Sequence, residues 1–182
     1  PHAVEVAALW AVLVRLHRPR KENYPEEIQS VIEEMDPLQK ARLYSEAVFP
    51  ERITGKTLKT LQNNLEEMAR EYSYDQLYEG SSGASPRAIL SLLFNALERG
   101  ERPFLSPLAV LEEVEAVCKD KSLYDFLRRE PLGSGFFDPE KALELTESYL
   151  LDVVEKEMWE AVGLVEEQQV SSLLERYVLN IT

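Results

Sequence analysis

Three times in this chain an oxygen-bearing side chain stands directly ahead of a proline and an apolar run: Ser85-Pro86, Ser106-Pro107 and Asp138-Pro139. Each pair writes a helix start locally. The side-chain oxygen accepts one of the N–H groups that a first turn leaves without a partner. The proline brings a preset φ and lacks an N–H that would go unpaired there. Helical spacing follows and fills the rest of the chain. Val4, Ala7, Ala8, Ala11, Val12 and Leu16 recur at three and four residues, as do Leu58, Leu61, Leu65 and Met68. From Pro139 a long run carries Leu143, Leu150, Val154, Met158 and Val162, and after Gly163 the pattern resumes through Val170, Leu173, Leu174, Tyr177 and Val178. No stretch alternates with period two, so the expected fold class is all-α. No internal repeat of about 30 to 50 residues is present, which argues against a solenoid.

The breaks divide these runs. The first helix is expected over Pro1 to Arg18, and Leu9, Trp10, Leu13 and Val14 widen its apolar stripe almost all round, so it needs neighbours on several sides. Pro19 and Pro25 stop it. Shorter helices are expected over Pro25–Met35 and Pro37–Val48, then Thr57–Tyr72, Ser85–Arg99 with Gly100 as its stop, Ser106–Lys119, and a short one near Ser122–Arg129. The chain opens on what reads as a helix, with Pro1 and no initiator Met, which suggests a piece of something longer.

Of 182 residues, 33 are acidic and 20 basic, a net charge of −13, with 45% hydrophobic residues to build a core. Phosphate-backbone binding needs cations that such a surface mostly lacks, so no nucleic-acid partner is expected. The acids come in pairs, Glu33-Glu34, Glu66-Glu67, Glu112-Glu113 and Glu166-Glu167, and read as solvated helix faces rather than catalytic dyads. Cys118 is the single cysteine and falls at helical spacing with Val110, Leu111, Val114 and Val117. It reads as a packed thiol, it allows no intramolecular disulfide, and it fits a reducing cytoplasmic location. His2 and His17 are the two histidines, and with no HExxH or CxxC pattern no metal site is expected. No apolar run reaches the roughly 20 residues needed to span a membrane, and no signal peptide is visible.

Two motifs need weighing. Gly55-Lys56-Thr57 has the wording of the end of a phosphate-binding loop, but Pro50 stands where that pattern requires its first glycine, and the setting is helical rather than strand-to-helix. It is a decoy. Nor is there an HRD, a DFG or a glycine-rich nucleotide loop of the Hanks type, and no catalytic residue is assigned.

The second motif is "GSSGASPRAILSLLFNAL", Gly80 to Leu97, where Arg87 falls in the first turn of a helix. A cation there opposes the positive end of the macrodipole. The placement makes sense if Arg87 and the helix end both face an anion, where their fields add. Ser85 caps the helix, and Gly80 and Gly83 let the loop approach closely.

"GASPRAILSLLFNA" resembles the sensor-2 motif of AAA+ ATPases, especially MoxR-like ones, in which a small helical lid places an arginine over nucleotide bound in an α/β core. "PHAVEVAALWAVLVRL", "YEGSSGASPR" and, near the end, "KEMWEA" with "LERYV" are similar, in that order, to segments of PrkA-type bacterial serine protein kinases. These carry an AAA+ module followed by a helical C-terminal region. The resemblance implies a helical bundle of AAA+ lid type over 1–120, with an inserted helical segment near 19–78, and a helical C-terminal extension over 121–182. It implies that Arg87, with Ser85 and Gly83 as its setting, contacts ATP and Mg held by the core of the intact parent, while this segment alone binds no cofactor and is inactive. Its partners would be the AAA+ core of its own chain, a homo-oligomer of the parent and the parent's protein substrate. Two alternatives stand beside this reading: the lid of a MoxR-like remodelling ATPase, or an acidic helical protein-interaction scaffold.

Overall fold

The computed structural model describes residues 2–50, 53–73, 79, 81–99 and 104–162. Among them are seven α-helices: α1 His2–Leu13, α2 Glu26–Glu34, α3 Pro37–Glu46, α4 Gly55–Arg70, α5 Pro86–Arg99, α6 Pro107–Lys119 and α7 Pro139–Ala161. Short 3-10 turns cover Lys21–Asn23, Asp125–Arg128 and Gly133–Gly135. No strand occurs among the described residues. The fold is all-α.

All three cap-proline starts form. Ser85 Oγ accepts from Ala88 N at 3.2 Å, Ser106 Oγ from Ala109 N at 3.1 Å, and Asp138 Oδ1 from Glu140 N at 3.1 Å and Lys141 N at 3.0 Å. A fourth start of the same type, Asp36-Pro37, is the most complete. Asp36 Oδ1 accepts from Gln39 N at 2.7 Å while Gln39 Oε1 accepts from Asp36 N at 3.1 Å, a full capping box. The Gly55-Lys56-Thr57 decoy opens α4, and Lys56 pairs at the surface with Glu27, holding that carboxyl below its usual range. The short segment near Ser122–Arg129 is a 3-10 turn rather than an α-helix. Gly100 lies outside the described residues.

The first helix ends earlier than its apolar spacing suggests. Regular α-helix stops at Leu13, and one further turn carries the chain to Leu16 through Leu16 N to Val12 O at 3.2 Å. Beyond that, His17 is taken by other parts of the chain: its N–H donates to Glu79 Oε1 at 2.7 Å and its carbonyl accepts from Lys40 Nζ at 2.7 Å. Long-range partners replace the helical ones, and Pro19 prevents resumption.

The contacts divide the chain into two units, Pro1–Thr146 and Glu147–Thr182, with α7 running across the division. Within the first unit, α1, α5 and α6 pack against one another. The buried side chains of this layer include Ala7, Trp10, Leu92, Val110 and Val114. Trp10 meets Phe126 edge to face at 6.0 Å between ring centres and donates from Nε1 to Pro139 O at 3.2 Å. A second apolar cluster draws its described members from residues 24–68, with Tyr24, Ile28, Ile32, Met35, Leu43, Ile53, Leu61 and Met68 at its centre. Helices α2 to α4 thus have a core of their own, and α3 packs against α1.

The acidic pairs are solvated in part only. Glu33, Glu34, Glu66 and Glu67 are exposed, but Glu113 is buried at 4% exposure, correcting the reading of Glu112-Glu113 as an outward pair. Its position on α6 turns it toward α5, where Asn95 Nδ2 donates to Oε1 at 2.9 Å and Arg99 Nη1 to Oε2 at 2.6 Å. A buried carboxylate persists only with such partners. Glu166-Glu167 lies outside the described residues.

Cys118 is buried, its Sγ 3.5 Å from Pro139 O, and burial pushes the thiol up to about 12. The packed-thiol reading holds. At pH 8 a maleimide or iodoacetamide should therefore label the native chain slowly, at least about 100-fold below a free cysteine, and reach full labelling once the chain is denatured. Rapid labelling without denaturant would contradict this packing.

In the second unit, the rest of α7 exposes Leu151, Val154, Met158 and Trp159. Among the described residues no helix is long and apolar enough to cross a membrane, and no group of histidine, cysteine and acidic side chains could hold a metal ion.

Candidate functional site at the start of helix α5

The segment from Glu79 into α5 is held at several separate points. Glu79 accepts from His17 N and pairs with Lys40. Ser82 Oγ accepts from Arg129 Nη1 at 2.8 Å, and the Arg129 guanidinium lies 5.1 Å from the ring centre of Phe137. Gly83 has φ +97°, and a Cβ added there would meet Arg15 Cγ at 2.6 Å and Val14 O at 2.9 Å. Glycine is required on both counts. Next, the Ala84 carbonyl accepts from Arg15 Nε at 2.9 Å and from the same guanidinium's Nη2. The loop backbone is clamped on the turn that follows α1.

The N–H groups at the helix start are nearly all taken. Pro86 has none, Ala88 N donates to Ser85 Oγ, and Ile89 N donates to Ser85 O at 3.0 Å. Arg87 N–H is the one without a partner among the described residues. The Arg87 side chain is exposed, and among the described residues no carboxylate or carbonyl engages it. Of the three residues singled out from the sequence, Gly83 and Ser85 serve the shape of the loop and the cap. Arg87 keeps an uncommitted charge beside an uncommitted N–H.

Arg87 shares the outer face of α5 with Leu90 and Phe94, both exposed, whereas Ala88, Leu92 and Ala96 are buried. A cavity of about 280 Å³ lies behind the helix, lined by Trp10, Ala88, Leu92, Asn95, Glu113 and Phe126 among others. Arg87 is not among its lining residues. An anion meeting this guanidinium would therefore approach from the exposed side of α5, away from the cavity. The residues that hold the loop, Arg15, Lys40, Glu79 and Arg129, carry no sequence signature. Each reaches a partner tens of residues away, so only folded geometry identifies them.

Comparison with known proteins places the chain. The profile of the family described as PrkA serine protein kinase C-terminal domain matches residues 38–182, from α3 onward. Over 185 residues the chain is 24% identical to the ATP-dependent protease PrkA of Bacillus subtilis (strain 168), an alignment that takes in 100% of this chain and 24% of that protein. The chain spans about a quarter of that relative's length. No solved structure matches. With the profile covering well over half of its residues, the chain belongs to the family of PrkA serine protein kinase C-terminal domains.

Proposed function

We propose that this chain is the lid and C-terminal helical segment of a PrkA-like AAA+ serine protein kinase, and that Arg87 acts as its sensor-2 arginine toward ATP bound in the core of the parent. The observation that carries this reading is the exposed Arg87, without a partner among the described residues, at the start of a helix whose leading loop is clamped. The clamped backbone fixes where the side chain starts, and from there the guanidinium can stabilise charge on a phosphoryl group. The neighbouring Arg87 N–H adds its dipole in the same direction. Lid-type helices 1–120, with the segment 19–78 inserted, and the extension 121–182 form the proposed division of labour. Mg accompanies ATP in the parent, and the core of the same chain is the immediate partner.

The family description and the relative's name both support nucleotide chemistry and differ on its outcome. A kinase needs a phosphoryl donor, and the B. subtilis relative is named as ATP-dependent, but one name implies serine phosphorylation and the other peptide-bond cleavage. Incubating the intact parent with ATP and a protein substrate, then assaying phosphoserine and new N-termini together, separates the two. The exposed Leu151, Val154 and Met158 of α7 favour a second role in protein interaction, independent of nucleotide.

The direct test is Arg87→Ala in the full-length protein. Turnover of ATP should fall about 10- to 100-fold, or nucleotide affinity weaken by a similar factor, with helical content unchanged, because the exposed side chain engages none of the described residues. Wild-type turnover and affinity in that variant would defeat the reading.

A further inference from the structure

We propose that the buried Lys40–Glu79 pair, closed by the backbone of His17, is a positioning latch that ties the placement of Arg87 to the α2–α4 subdomain. The proposal rests on the reading of Arg87 given above.

Lys40 is a residue of α3, yet its ammonium serves the other side of the junction. It is 1% exposed, donates to His17 O at 2.7 Å and pairs with Glu79, whose Oε1 also takes the His17 N–H at 2.7 Å. The ammonium stands 5.1 Å from the ring centre of Tyr44 and 5.5 Å from that of Tyr72. Burial lowers the basicity of Lys40, and the Glu79 carboxylate opposes that shift. The His17 ring stands edge-on to Tyr72 at 4.7 Å and to Phe137 at 5.0 Å.

Other contacts across this junction are polar as well. Tyr72 Oη donates to Arg18 O, Arg20 N donates to Glu71 Oε1 at 3.1 Å, and the Glu33 carbonyl accepts from Arg18 Nη2 at 3.0 Å and Ser134 Oγ at 2.8 Å. The apolar cluster of α2 to α4, by contrast, draws its described members from residues 24–68. A body with its own core thus meets its neighbour through hydrogen bonds, one buried ion pair and the packed His17 and Tyr72 rings. A buried pair that loses its partner leaves a charge uncompensated, which is strongly unfavourable. Losing Lys40 from this joint would therefore be felt at Glu79 and His17.

What the latch holds is the route into α5. Glu79 fixes the upstream end of the loop, and His17 lies two residues beyond Arg15, which clamps the Ala84 carbonyl. When Lys40 holds His17 O and Glu79 together, the turn that follows α1 and the loop are fixed to each other. Withdrawal of α3 would leave Glu79 held, among the described residues, by the His17 N–H alone, loosening the upstream end of the loop that leads to Arg87 while the Arg15 clamp on Ala84 stays. Lys40 and Glu79 touch no ligand in this scheme. They act through Arg87.

The test uses the full-length protein with Lys40→Met, Glu79→Gln, Lys40→Arg, Arg87→Ala and the double variant Lys40→Met/Arg87→Ala. It measures ATP turnover, nucleotide affinity, and hydrogen exchange at the amides of residues 84–89. Lys40→Met and Glu79→Gln should each lower turnover about 3- to 10-fold and speed exchange at 84–89 while leaving exchange in α6 unchanged. Lys40→Arg should restore part of the loss. In the double variant turnover should be no lower than in Arg87→Ala, because a latch that works through Arg87 has nothing to position once Arg87 is gone. Losses that multiply would overturn the proposal, as would wild-type turnover in both single latch variants alongside a defective Arg87→Ala. Should Lys40→Met fail to fold, Glu79→Gln, which keeps an oxygen for the same donors, decides. If Arg87→Ala itself has no effect, the sensor-2 reading fails. Exchange at 84–89 then judges the latch separately: faster in the latch variants supports it, unchanged refutes it.

Discussion

Trp10→Ala should cost this chain about 3–5 kcal/mol of folding stability, the range for emptying a fully buried large aromatic site. Trp10 is 1% exposed, faces Phe126, and ties α1 to the start of α7 through its bond to the Pro139 carbonyl. Removing it takes away the indole's contacts with both neighbours and leaves that carbonyl short of a donor. A loss of this size is a large part of the margin by which single domains are stable, so the variant is expected to be largely unfolded at 37 °C. Trp10→Phe separates the two contributions, since it keeps most of the apolar volume and drops the N–H, and it should lose only about 1–2 kcal/mol. Denaturant titration followed by far-UV circular dichroism reads both. A loss below about 1 kcal/mol for Trp10→Ala would mean that α1 is not the centre of its layer.

The second large effect is expected at Gly83. An alanine there must adopt φ +97°, which costs an L-residue about 1–2 kcal/mol by itself. Its Cβ would also press on Arg15 Cγ and on the Val14 carbonyl oxygen. The arginine could swing away only by releasing Ala84, and the carbonyl is backbone and cannot yield. Overpacking of this kind adds about 1–3 kcal/mol, so Gly83→Ala should destabilise the chain by about 2–5 kcal/mol. If the chain relieves the strain by freeing the loop instead, hydrogen exchange at residues 84–89 should rise with little change in the global midpoint. A variant with wild-type stability and wild-type exchange would show that the close approach on Val14 is not maintained in solution.

The legible parts of this fold are those written in short range. Ser106-Pro107 and Asp138-Pro139 set helix starts that formed as expected, because a cap and a proline act within one turn and need no tertiary partner. Asp36-Pro37 obeys the same rule, and the box it makes with Gln39 could have been found by the same inspection. The end of α1 was not legible, since its apolar spacing runs on to Leu16 while the partners that draw His17 out of the helix, Lys40 and Glu79, lie 23 and 62 residues further along. Glu113 shows the same limit. Its exposure was inferred from charge, but its burial depends on Asn95 and Arg99 from a different helix. At the candidate site, Arg87 stood out because a cation at a helix start violates a local preference. Arg15 stood unnoticed because its role is to hold a carbonyl 69 positions away.

The sealed thiol of Cys118 has a practical corollary. A cysteine newly introduced at Leu90, on the outer face of α5 beside Arg87, would be the single reactive sulfur on the folded molecule. A fluorophore or spin probe could be attached there without first deleting the native residue, so the motion of this helix could be followed in an otherwise unaltered chain.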